Sequence, residues 1–242
     1  MRFMETEIND YIKELVRKLI CNAEERLMVF FLENTDYEQI IEEHFIKKIE
    51  KDVKFKNFQE FYFEAKFKYN DNNFFNKFKT HYSLQGVDIP YLEFLNTNRN
   101  SIKKLVEDGK LSELYFTFFY DQQIKSKETN VRKNFGSFFT KVVHTFKPEK
   151  YTPVDMPMKK DFGLESESYF IALIVISKAF ENWANKNRDK MDKLKSLLIE
   201  RLIIAFPKVS QQKIKDQVTD MKVLDTIFWS VAQEKIKKSK NK

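Results

Sequence analysis

Apolar residues recur at helical spacing over most of this chain, and that period constrains the fold more than any other feature. Ile8, Tyr11, Ile12, Leu15, Val16, Leu19 and Ile20 step by three and four, which predicts an amphipathic first helix. Thr35 and Glu38 have capping-box spacing and open a second helix that extends to about Val53. The same period predicts helices over about 99–108, stopped by Gly109, over about 111–126, and from about Val131 to Phe146, stopped by Pro148. YFIALIVI at 169–176 is the most apolar run. It reads as a central helix, apolar on all sides and continuing through Trp183, with a strand as the alternative given its β-branched content. Helices near 188–205, 210–221 and 222–237 complete the chain, and Leu224, Ile227, Phe228 and Val231 form the buried stripe of the last.

One segment breaks the period. Phe61, Phe63, Ala65, Phe67 and Tyr69 alternate with Tyr62, Glu64, Lys66 and Lys68, the pattern of a half-buried strand. NDNN follows at 70–73, then Phe74, Phe75, Phe78 and Tyr82. A small β-hairpin within residues 61–82 and a pair of short helices both fit. Its interleaved Lys and Phe could stack single-stranded nucleic acid; the plainer reading is a core face with lysines outside. The turn SLQGVDIP at 83–90 marks a lobe boundary. The expected architecture is mainly α: a compact, two-lobed multi-helix domain. It comprises an N-terminal helical lobe over 1–86, a helical core lobe over 87–232 and a basic tail over 233–242.

Composition narrows the function. The four glycines, Gly86, Gly109, Gly136 and Gly163, lie far apart, so no Gly-rich phosphate loop of the P-loop or Rossmann type can be built. Cys21 is the single cysteine, which excludes an internal disulfide and a thiolate zinc site. His44, His81 and His144 lack metal-ligand spacing, and neither a metal nor a cofactor is expected. The charged start MRFMETEINDYIKEL does not read as a signal peptide, and no apolar run approaches the about 20 residues of a membrane span. A cytoplasmic protein without membrane contact is therefore expected. The 25 Phe must mostly be core. Of the net charge of +7, residues 233–242 carry +4, which leaves a body too weakly basic to argue nucleic-acid binding from charge alone.

Residues 136–163 read GSFFTKVVHTFKPEKYTPVDMPMKKDFG. A helix carries Lys141 and His144, a loop with Pro148 and Pro153 follows, and Asp155 stands at the mouth of a short helix that ends at Gly163. Thr140-Lys141-Val142 and Pro153-Val154-Asp155 resemble the T-K-V and P-V-D segments of the helix-hairpin-helix DNA glycosylase superfamily, the 8-oxoguanine type in particular. A looser bacterial pattern, S-K-x-x-H-x-x-x-P-x-x-[FY]-x-x-x-D, is similar at Thr140, Lys141, His144, Pro148, Tyr151 and Asp155. Where the family hairpin has glycines, this sequence has Ser137 and Phe139.

The resemblance implies a lysine amine, Lys141, that attacks the sugar carbon of a flipped-out nucleotide, and a carboxylate, Asp155, that handles protons and stabilises the cationic transition state. Both side chains are then expected in one partly desolvated cleft, with Phe138, Phe139 and Tyr151 as its walls and His144 beside them on the substrate. Each residue also has a plainer reading. Asp155, with Pro157 in the first turn after it, suits an N-cap; Lys141 suits a solvated helix position; His144 suits a satisfied structural histidine. The functional expectation is a DNA-associated, glycosylase-like protein that hydrolyses an N-glycosidic bond in bacterial genome or antiviral defence. The alternative is a non-enzymatic helical module that binds a protein partner or nucleic acid, which the aromatics and the Lys tail suit equally.

Overall fold

The computed structural model describes residues 2–82, 84, 86–126 and 129–240, with side chains for 12–82, 84, 86–124 and 130–232. Helices make up 73% of it, so the mainly α class holds. The first helix, α1 (Arg2–Glu33), packs along α11 (Tyr169–Lys186), the apolar central helix. The seam of α1 is its C-terminal half, where Ala23, Leu27 and Phe31 are buried four residues apart. Ile12 and Leu15, expected in that seam, are 50% and 46% exposed, and the side chains of Ile8 and Tyr11 lie outside the described residues.

Asp36, one residue after the expected Thr35, caps the next helix by accepting from the Gln39 N–H at 3.0 Å. That helix runs as α2 (Tyr37–Ile40), a π-helical stretch over Ile41–Ile46 and α3 (Lys47–Lys51). The 61–82 segment resolves into the pair of short helices: α4 (Val53–Ala65), capped by Asp52, and α5 (Phe74–His81). The β-hairpin therefore does not lie within 61–82. Tyr62 is as buried as Phe61 and Phe63, so α4 is apolar nearly all round at that point and its alternation carries no strand signal.

After α6 (Ile89–Thr97), α7 (Arg99–Glu107) and α8 (Leu111–Phe118), the chain forms a two-stranded antiparallel ribbon, β1 (Gln122–Ser126) with β2 (Thr129–Lys133). Ile124 faces Val131 across it, and this apolar pair seats the ribbon on the core. The helices expected over 111–126 and from Val131 are shortened accordingly, and the later one, α9 (Gly136–Phe146), begins at Gly136. A Cβ at Gly136 would run into the Tyr169 ring, so close helix approach explains this glycine. Next come α10 (Met156–Asp161), closed by Gly163 at φ +66°, then α11, α12 (Arg188–Ala205), α13 (Gln211–Gln217) and α14 (Asp220–Lys240).

The buried side chains form one continuous cluster from Ala23 to Phe228, drawn from both sides of the 83–90 turn. In α14, Leu224, Ile227, Phe228 and Val231 are buried as expected. The side chains of the basic tail, 233–242, lie outside the described residues. Among the described residues, no helix is long and apolar enough to cross a membrane.

Candidate active site

A cleft of about 470 Å³ opens between α9, with the loop that follows it, and a wall built by α4 and α14. Lys141, His144, Val154 and Asp155 line one side. Their placement follows from Thr140, which is fully buried. Its hydroxyl donates to the Val154 carbonyl at 2.8 Å and accepts from the Val154 N–H at 3.0 Å. This two-way clamp ties Thr140-Lys141-Val142 to Pro153-Val154-Asp155, so the two matched segments are neighbours in space.

Lys141 is half-buried, and its amine donates to Ser137 Oγ at 2.5 Å. Burial pulls its pKa below the usual lysine value, while the Asp155 and Asp225 carboxylates oppose that shift. The amine is thus easier to discharge than a solvated one, as a nucleophile requires. Asp155 is exposed and lines the cleft; its Oδ1 accepts from the Met158 N–H at 2.9 Å and caps α10. The cap and the cleft position belong to the same residue. Among the described residues Asp155 and Lys141 do not pair directly; they interact through space on the same side of the cleft.

His144 lines the cleft, yet both ring nitrogens are engaged. Nδ1 lies 2.6 Å from the Tyr151 carbonyl, which can only accept, so Nδ1 carries the proton. Nε2 then accepts from the Tyr62 hydroxyl at 2.9 Å. Burial pushes the pKa of His144 down to about 3, opposed by the Tyr151 carbonyl and assisted by the charge of Lys222. The ring is neutral near pH 7 and acts as a strut between α9, α4 and the loop.

The expected aromatic walls are corrected. Phe138 and Phe139 are buried against Phe75, Phe78, Phe119 and Tyr115, on the core side of α9. Tyr151 reaches this region through its carbonyl, and its ring does not line the cleft. The walls come instead from Phe45, Phe55, Phe58, Tyr62, Tyr82 and Trp229.

Two charged residues of the cleft, Lys222 and Asp225 of α14, were not singled out from the sequence. Their signal is a second stripe, Lys222, Asp225, Thr226 and Trp229, running beside the apolar stripe at the same helical spacing. The segment before α9 is the β1–β2 ribbon and not a helix, so Gly136 sits in no helix-hairpin-helix turn. The chain matches no family model, no curated protein and no solved structure.

Proposed function

We propose that this protein is a glycosylase-like enzyme that hydrolyses an N-glycosidic bond in DNA, with Lys141 as nucleophile and Asp155 as its carboxylate partner. One observation carries the reading: a desolvated lysine amine and a carboxylate, brought together by the Thr140–Val154 clamp, face one aromatic-walled cleft. The volume suits a nucleoside-sized ligand, and Lys48 and Lys54 on its lining offer charge to a phosphate.

In the reaction this implies, the neutral Lys141 amine bonds to C1′ of an everted nucleotide. The C1′–N bond breaks, its electron pair leaves with the base, and the base takes up one proton. Asp155 receives the proton that the attacking nitrogen sheds; the C1′–O4′ bond then breaks as the nitrogen forms the Schiff base, and O4′ takes that proton back from Asp155. Water then adds to C1′, releasing the amine and leaving the sugar as an aldehyde. The negative charge of Asp155 opposes the positive charge that develops on the sugar.

Borohydride trapping tests this. Duplexes carrying a panel of damaged or modified bases, and one carrying an abasic site, should each be incubated with protein and reductant. The wild type should give a covalent adduct, and Lys141→Ala should give none. Absence of any wild-type adduct across the panel would favour the cleft as a non-enzymatic binding site.

A further inference from the structure

The α4–α14 wall, opposite Lys141, carries polar groups that the chemistry above does not use. Lys222 and Asp225 form an ion pair at 3.6 Å, and both are largely buried. The Lys222 amine also lies 4.6 Å from the Tyr62 ring centroid and 5.5 Å from that of Phe45. Burial lowers its pKa, opposed by the Asp225 carboxylate, and the two ring faces interact with its charged form. Further along α14, Trp229 stacks on Phe55 of α4 at 4.7 Å and 11°.

Between these two features lie Gln59 and Thr226, each 1% exposed and lining the cleft. Among the described residues, Gln59 Oε1 and Thr226 Oγ1 have no hydrogen-bond partner. Buried polar atoms are nearly always paired. Two orphans on one wall mark a place completed by a ligand with a polar edge, and the aromatic stack beside them suits that ligand being planar. A nucleobase has both properties.

Asp225 directly precedes Thr226 on α14 and lines the same cleft. Lys222 faces it from its own helix, Lys141 from α9, Asp155 from the cap of α10, Tyr62 from α4 and Tyr82 from the turn after α5. Lys48 and Asp52 from the α3–α4 corner and the neutral His144 line the same cleft. Burial pushes its carboxyl up to about 6, with Lys222 and Lys141 pulling down and Asp155 pushing up. Part of the population is therefore protonated near neutrality.

Resting on the glycosylase reading above, we propose that the departing base occupies the α4–α14 end of the cleft and that Asp225 is the general acid that protonates it. As the C1′–N bond breaks, its electron pair moves onto the ring nitrogen, and that nitrogen takes the proton of the Asp225 carboxyl group. Asp225 is left as a carboxylate beside the Lys222 ammonium and regains a proton from water. Asp155 serves the amine, and Asp225 serves the leaving group.

Two probes separate this inference from the reading beneath it. An abasic-site duplex has no base to expel, so its trapping depends on Lys141 and needs no leaving-group acid. An 8-oxoguanine duplex has a base to expel. For Asp225→Asn, base release should fall on the order of 10²-fold more than abasic trapping does, the usual scale of general acid catalysis. Wild-type release should decline as pH rises through about 6, and Asp225→Asn should lose that limb. Asp225→Glu should restore part of both. Equal losses on the two probes would make Asp225 a structural residue and overturn the proposal. Wild-type release unaffected by Asp225→Asn would overturn it too, as would abasic trapping without any base release by the wild type. Failure of the wild type to trap the abasic duplex would sink the glycosylase reading itself.

Discussion

Lys141 and His144 stand one turn apart on α9, and burial lowers the pKa of both. The consequences differ, because the histidine spends both nitrogens on Tyr151 and Tyr62 while the amine keeps one short bond to Ser137. With its pKa depressed from 6.5 to about 3, folded His144 stays neutral where the unfolded chain would take a proton. Its contribution to stability is full above pH 6.5 and is lost progressively as pH falls from 6.5 towards 3. Replacing it with Phe leaves the Tyr151 carbonyl without this partner, at about 1–3 kcal/mol for a buried group, while the Tyr62 hydroxyl keeps the Gln217 carbonyl at 3.1 Å. Urea midpoints at pH 7.5 and pH 4.5 check both effects. His144→Phe should be weaker at pH 7.5, and the gap to wild type should narrow at pH 4.5. A gap that stays constant or widens in acid would contradict the neutral buried histidine. A structural histidine was one of the two readings available from the sequence, but its tautomer and partners depend on Tyr62, which no local pattern connects to it.

At the scale of elements, the informative unit is α9, the Thr140–Val154 clamp and the cap of α10. Asp155 has two tasks there, and two substitutions divide them. Asp155→Ala removes the cap and should cost about 1 kcal/mol. Asp155→Asn keeps a good cap but removes the charge, so its thermal midpoint should stay near that of wild type while base release falls on the order of 10²-fold. Full activity in Asp155→Asn would reduce Asp155 to a helix cap. The boundaries of this unit were legible because Pro148, Pro157 and Gly163 act locally on backbone geometry. The β1–β2 ribbon was not, because its apolar pair is only Ile124 and Val131, too short a run to outweigh the helical period on either side. The 61–82 segment misled for the converse reason: Phe61, Tyr62 and Phe63 are buried in succession, so apolar residues on neighbouring positions of α4 blur the 3.6 period there.

For the whole molecule, the mainly α class was legible because helical period is a local property that repeats along the chain. The cleft was legible on one side only. Lys141, His144 and Asp155 sit within one short segment, whereas Phe45, Phe55, Gln59 and Tyr62 come from the N-terminal third and Lys222, Asp225 and Trp229 from the last helix. Only the fold brings those groups opposite Lys141, and they include a second buried lysine. Lys222 is thus a rival amine in the same cleft, lying beside Asp225, Tyr62 and Phe45. The most direct test of the central claim is to locate the borohydride-trapped adduct by peptide mass spectrometry on the wild-type protein. The account predicts the reduced sugar–lysine bond on Lys141; an adduct on Lys222 or on any other lysine would contradict it.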